Sequence, residues 1–360
     1  MFQVLRNWYN RNFSDPQVVI LALVLFIGAV LVLLFGRMLA PVLTALILAY
    51  LLEGLIVRLE HWRVPRIAGV VLVFIGFLAG LIVLLFGLVP LLSRQLSQLI
   101  QQIPTWISQG QELVLRLPEL YPQLVTEAQA RQLVDRIGAD LAGLGQELLA
   151  ISLSSALGLV SLVVFLVLVP ILVFFFLKDK SQLLHWASSY LPEDRGLVSS
   201  VWQEVDRQIG NYVRGKAVEI LIVGAVTWFT FSFLGLQYAS LLATLTGLSV
   251  VIPFIGAAVI TLPVALVAFF QFGWGAEFFW VLVAYGGIQA LDGNVLVPLL
   301  FSEVVDLHPV AIIVAVLFFG GLWGFWGIFF AIPLATLVNA VLRAWPKGAP
   351  PQPAAEAGVD

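Results

Sequence analysis

The sequence predicts an all-α polytopic membrane protein, with interrupted helices in its C-terminal half and a helical insert outside the bilayer. Three observations carry that expectation. First, 61% of the 360 residues are hydrophobic and only 11% are charged, against about 25% charged in an ordinary soluble domain. Second, the charges are missing in blocks. No Asp, Glu, Lys or Arg falls within 67–93, 148–177, 220–276 or 309–342. A helix needs about 20 apolar residues to cross hydrocarbon, so the first two blocks hold one span each and the third is long enough for two or more. Third, such runs are far longer than the roughly 10-residue alternating strands of a membrane barrel, and lipid tolerates no unpaired backbone. The spans are therefore helices.

Arg6, Arg11 and Asp15 precede the apolar run 18–35. That run exceeds a signal-peptide core and no small-residue cleavage site follows it, so it reads as a retained first span. A short turn at Gly36-Arg37 leads into span two, 38–57. Arg58, Arg63 and Arg66 come before span three, 67–92, which completes an N-terminal part over 1–92. Residues 93–150 are amphipathic. Val134, Ile137, Leu141, Leu144 and Leu148 follow the spacing of a helix–helix seam, while Pro104, Pro118 and Pro122 predict shorter helices before it. The seam fits either a cap on its own bundle or an interface with a neighbouring subunit.

Span four, 151–177, stops at Lys178-Asp179-Lys180. Over 178–216 a second amphipathic stretch follows, with Pro192, Glu193 and Asp194 suited to a helix start. Its apolar stripe of Leu197, Val201, Trp202, Val205, Ile209 and Tyr212 predicts a helix along the membrane surface. The C-terminal core covers 217–345, and the proline-rich 346–360 reads as a disordered tail. Lys and Arg gather at the N-terminus, in 58–66, in 178–216 and at Arg343 and Lys347. The positive-inside rule then puts both termini inside and 93–150 outside.

Several function classes are excluded. A net charge of −3 gives no basic footprint for nucleic acid. With no cysteine there is no disulfide, thiol nucleophile or cysteine metal site. His61, His185 and His308 are far apart, and the chain lacks HExxH, GxSxG and the full phosphate-binding GxxxxGK[ST], since Ala217 follows Gly215-Lys216. Neither an enzyme nor a cofactor is expected.

The C-terminal core carries the candidates. One apolar run is interrupted at Ile252-Pro253-Phe254-Ile255-Gly256, another at Gly320, Gly321, Gly324 and Gly327. Similar phrases follow each, Leu262-Pro263-Val264-Ala265 and Ile332-Pro333-Leu334-Ala335. Broken apolar segments at corresponding positions of two repeats point to a transport site, since non-helical backbone at membrane depth needs protein or a water-filled cavity around it. Tight glycine packing and proline kinking are the alternative. Between the breaks, Gln289 and Asp292 share a helix face. A carboxylate at depth costs about 2.5–3.5 kcal/mol on insertion scales and by default marks a substrate or proton site. Glu53 and Glu219, at the ends of spans two and five, are expected at the interface. Asp306 and His308 read as turn residues before Pro309.

Ordered phrases then carry a resemblance. They are Ala40-Pro41, Leu48-Ala49-Tyr50-Leu51-Leu52, Lys178-Asp179, Gly210-Asn211-Tyr212-Val213-Arg214-Gly215 and Val251 through Gly256. Gln289, Asp292-Gly293-Asn294, Pro298, Leu307-His308-Pro309, Gly320-Gly321, Gly324, Gly327 and Pro333-Leu334-Ala335 continue the series. Together they cover about 20–345, and the chain resembles the autoinducer-2 exporter family of bacterial permeases. The resemblance implies eight spans, the insert between spans three and four, an oligomer of pentamer type, and export of small polar molecules across a bacterial inner membrane. Some relatives look like sodium/proton antiporters. The chain departs from the pattern at Lys216 and Glu219. The resulting expectation is a gradient-driven transporter with the lipid bilayer, a small polar solute or cation, and further copies of itself as partners. Pro253, Gly256, Gln289, Asp292, Asn294, Gly320 and Gly324 would line the pathway. The rival is a scaffold that binds a partner through 93–150 and transports nothing.

Overall fold

The computed structural model describes residues 16–120, 126–129, 131–132, 134, 155–190, 196–253, 255–301 and 308–344. Helix α1 is Pro16–His61 and α2 is Arg66–Val83, continuing through a π turn at Leu84–Leu88 into α3, Val89–Leu120. Then come α4 (Ser155–Lys178), α5 (Lys180–Ser189), α6 (Gly196–Phe233), α7 (Ala239–Ser249), α8 (Ile255–Phe272) and α9 (Ala276–Leu291). A second π turn, Asp292–Leu296, leads into α10 (Val297–Phe301), followed by α11 (Pro309–Trp323), α12 (Phe325–Phe329) and α13 (Ala331–Ala344). No strand occurs among the described residues. The protein is an all-α polytopic membrane protein.

Five of these helices are long and apolar enough to cross a bilayer: Met38–His61, Arg66–Arg116, Trp202–Phe233, Ile255–Phe272 and Ala276–Phe301. Leu162–Lys178 with Lys180–Ser189 forms a sixth if the bent pair is counted as one span. Their outward faces are apolar. Phe233 is 91% exposed, Phe86 78% and Leu299 74%, which is tolerable only where hydrocarbon, not water, covers them.

Three helices run on where the sequence suggests a break. The turn expected at Gly36-Arg37 is absent, and α1 passes through it as one helix of 46 residues, about 69 Å at 1.5 Å per residue. Pro104 and Pro118 lie inside α3 instead of ending shorter helices. Packing holds α3 together around Pro104, because Leu99 and Trp106 are anchored on a buried cluster and the Trp106 ring stacks on Phe270 at 5.0 Å. Likewise α6 carries the stripe of Trp202, Ile209 and Tyr212 straight into the apolar run beyond Glu219. Pro122, the seam from Ile137 to Leu148, Pro192 to Asp194, Asp306 and the tail lie outside the described residues.

The chain forms two compact units. The first comprises Met1–Arg58, Phe175–Glu219 and Asn294–Asp360; the second comprises Leu59–Phe174 and Ile220–Gly293. In the first unit, Tyr212, Val213, Phe301 and Ile332 make one core and Ala315, Val316 and Ala331 another. In the second, Phe231, Leu242, Val264, Val267, Val281 and Tyr285 pack together. Each unit carries one broken helical hairpin.

Candidate functional site

The hairpin of the second unit is α7 and α8. At 11 residues α7 is about 16 Å long, roughly half the hydrocarbon thickness, so it cannot cross alone. Its turn satisfies backbone locally: the Ile252 amide donates to the Ser249 carbonyl and Gly256 to Ile252, both at 3.0 Å. Pro253, partly buried, has no amide to satisfy. Gly256 is buried, and a Cβ there would lie 1.8 Å from the Ser249 carbonyl oxygen. Only glycine permits this turn. Below it, α7 presses on α6 through Gly247, whose added Cβ would meet the Ile220 oxygen at 2.8 Å and the Gly224 Cα at 3.0 Å. Small residues allow such backbone approach in membranes.

The hairpin of the first unit is α11 with α12 and α13. Gly324 turns the chain at φ +60°, a conformation that favours glycine. Gly327 repeats the role of Gly256, since a Cβ there would lie 1.8 Å from the Phe319 oxygen. At Gly320 a Cβ would meet the Ile328 side chain at 2.8 Å. The glycine cluster thus serves both readings: Gly320 and Gly327 allow close packing, and Gly324 breaks the helix. Beside the break lies a cavity of about 910 Å³ lined by Gly321, Trp323, Gly324 and Trp326, with Tyr50 and Trp202 among its other walls. The Tyr50 hydroxyl donates to the Asp206 carboxylate, fixing one polar edge of this aromatic chamber.

On α9, buried Tyr285 donates to the Ala257 carbonyl at 2.9 Å and its hydroxyl also faces Gln289 and Thr261. The structure thereby brings Gln289, partly buried, to the helix start that Gly256 sets. Asp292, also partly buried, opens the π turn that Asn294 shares and exposes. Such turns are frequent at functional sites. Of the seven expected pathway residues, Pro253, Gly256, Gln289 and Asp292 belong to the second unit, and Asn294, Gly320 and Gly324 to the first.

One feature escapes sequence reasoning. Glu219, expected at the interface, is 1% exposed and pairs with Lys216 at 2.7 Å. The correction follows from the length of α6: the helix begins at Gly196, so Lys216 and Glu219 sit in its interior and not at its start. The Lys216 ammonium lies over the Phe301 ring, 5.2 Å from its centroid, and Gly215 leaves that ring the room it occupies. Tyr212, buried, donates to the Phe329 carbonyl at 3.2 Å. The signal was opposite charges three residues apart just before a charge-free run. Arg214 explains two further glycines. Its side chain donates to Asn211 at 2.9 Å and fills the space left by Gly54 and Gly210, where a Cβ would stand 3.2 Å away. Glu53 pairs with Lys180 at 3.0 Å, and the His308 side chain accepts from the Val310 amide to cap α11. No group of three potential metal ligands occurs among the described residues.

Comparison with known proteins agrees with this architecture. The sequence profile of the AI-2E family transporter matches residues 20–347. The chain is 46% identical over 348 residues to "Putative permease PerM" of Escherichia coli (strain K12), covering 97% of this chain and 99% of PerM. It is 26% identical to "Putative transport protein YueF" of Bacillus subtilis (strain 168), over 91% of this chain and 92% of YueF. Similarity extends to "AI-2 transport protein TqsA" of Escherichia coli (strain K12) at 24% identity, over 90% of this chain and 92% of TqsA.

Proposed function

The chain belongs to the AI-2E transporter family, and from that premise we propose that it moves a small polar solute down or against a gradient without ATP. It is a multi-pass membrane transporter in the coarse sense that family and fold share. The observation that carries the finer reading is the pair of broken hairpins, each held tight at a glycine, Gly256 or Gly327, whose added Cβ would stand 1.8 Å from a carbonyl oxygen. Such breaks present backbone polar groups at membrane depth, where helices otherwise hide them. In this reading Pro253, Gly256, Gln289, Asp292, Asn294, Gly320 and Gly324 meet the solute or its coupling ion. An autoinducer-2-like molecule is one solute, by analogy with the name of TqsA. Proton-coupled cation antiport is the second reading, favoured by the carboxylate of Asp292 at a π turn. The protein works as a homo-oligomer in a bacterial inner membrane.

Flux into liposomes that contain only this protein tests the reading. Asp292→Asn keeps the shape and removes the charge. It is expected to flatten the pH dependence of flux and slow it by at least about tenfold, ~1.4 kcal/mol of barrier. An unchanged rate and pH profile would remove Asp292 from the pathway, and absence of any flux from wild type would remove the transporter reading. Orientation has its own test. Both termini are proposed to lie inside and α3 to project outward. Cysteines placed singly at exposed Gln109 and Ser189 should react with an impermeant thiol reagent in intact cells at Gln109 only; reaction at both, or at Ser189 alone, contradicts this topology.

A further inference from the structure

We propose that a glutamine-lined pocket at the open end of the α7–α8 hairpin binds a neutral polyhydroxylated molecule. The pocket holds about 440 Å³ and is lined by Gln95, Gln98, Gln101, Gln102, Gln237 and Tyr238. That volume lies within the ~300–1,000 Å³ of small-molecule sites. It arises from one face of α3. The face that sends Leu99 and Trp106 into the core of the second unit also carries Gln95 and Gln102, three or four residues from them, with Gln98 and Gln101 toward its exposed side.

Two of these amides have fixed orientations. The Gln95 carbonyl oxygen accepts from the Leu241 amide at 2.8 Å, and that of Gln102 accepts from the Tyr238 hydroxyl at 2.7 Å. Their carbonyls are engaged by the start of α7, which leaves their NH2 groups as donors for the pocket. Gln98, Gln101 and Gln237 are exposed and bring both donors and acceptors. The far wall is held just as firmly. Gln271 accepts from the Gln237 amide at 2.7 Å and donates to the Gly235 carbonyl at 2.7 Å, and Tyr238 sits at φ 57°. A tyrosine in the left-handed region is strained, and such strain gathers at binding sites.

The chemistry of the wall selects the ligand. No charged side chain lines the pocket, so an ion would lose hydration without a counter-charge. Hydroxyl groups both donate and accept, as primary amides do, and a chain or ring of them can pair with several glutamines at once. That the pocket collects solute for the hairpin rests on the transporter reading; that it binds does not.

Calorimetric titration of the full chain in nanodiscs tests this with sorbitol, neutral, and gluconate, an anion of the same carbon count. Wild type should bind sorbitol at least about tenfold more tightly than gluconate. The triple variant Gln98→Ala, Gln101→Ala, Gln237→Ala should weaken sorbitol binding by at least about tenfold with an unchanged melting temperature. Alanine favours helix at the two α3 positions, so folding is retained. Equal affinity for gluconate, no sorbitol binding by wild type, or undiminished binding by the triple variant would each overturn the proposal. Liposome flux measured alongside separates the two claims: a protein that transports but ignores sorbitol keeps the transporter reading and loses this site.

Discussion

Gly256→Ala is expected to destabilise the protein by more than about 3 kcal/mol and to abolish flux. Overpacking in a well-filled interior ordinarily costs about 1–3 kcal/mol, because side chains can swing aside. Here the new methyl would stand 1.8 Å from the Ser249 carbonyl oxygen and 2.6 Å from its carbon. Both are backbone, so the hairpin itself must open. Gly327→Ala should do the same, since its Cβ meets the Phe319 oxygen at 1.8 Å and the carbon at 2.4 Å. Gly286→Ala is the control: no atom lies within 4 Å of its added Cβ, and it sits inside α9. Alanine is the better helix former there by up to about 1 kcal/mol. Melting temperature in detergent and flux in liposomes read the outcome. A Gly256→Ala protein with wild-type stability and flux would mean that the hairpin is not built as described.

Breaking the buried Lys216–Glu219 pair should have an effect of similar size. Removing one partner of a buried pair typically costs about 3–5 kcal/mol, because the other charge is left in a low-dielectric interior. Lys216→Met and Glu219→Gln are each expected to fall in that range. The double variant should recover to within about 1 kcal/mol of wild type, since a buried pair and a well-packed neutral pair are often equally stable. A double-mutant cycle on thermal unfolding measures the coupling. Singles no worse than about 0.5 kcal/mol would show that the pair is hydrated and weak. If the double variant is stable but silent in flux, the pair belongs to the transport machinery.

The pair also shows how far sequence reasoning reaches. Lys216 and Glu219 stood out as a departure from the resembled pattern, but their burial was hidden. It depends on α6 running unbroken from Gly196 through Glu219 to Phe233, where the sequence suggested a surface helix and then a separate span. The breaks at Gly256 and Gly324 were legible because glycine and proline act locally: one permits a backbone no other residue adopts, the other removes a donor. Gly247 was not legible. It looks like any glycine in an apolar run, and only the approach of α6 reveals its use. Nor were the glutamines of α3, which form a pocket wall only because Gln237 and Tyr238 come to stand beside them.

The sequence by itself determined the solvent, the secondary structure and the family. Charge-free blocks longer than a bilayer is thick leave a chain no alternative to membrane helices, and ordered phrases along about 20–345 point to the family whose profile matches 20–347. Only the tertiary structure decided which helices run on, which glycines are irreplaceable and which charges are buried. Helix continuity is set by the balance between a local cost and the packing on either side. Pro104 is tolerated because Leu99 and Trp106 are anchored, and Gly36-Arg37 stays helical because nothing in its own chemistry forbids a helix. Local chemistry is written in the sequence; the neighbour that presses against it comes from distant parts of the chain, and is fixed only when they pack.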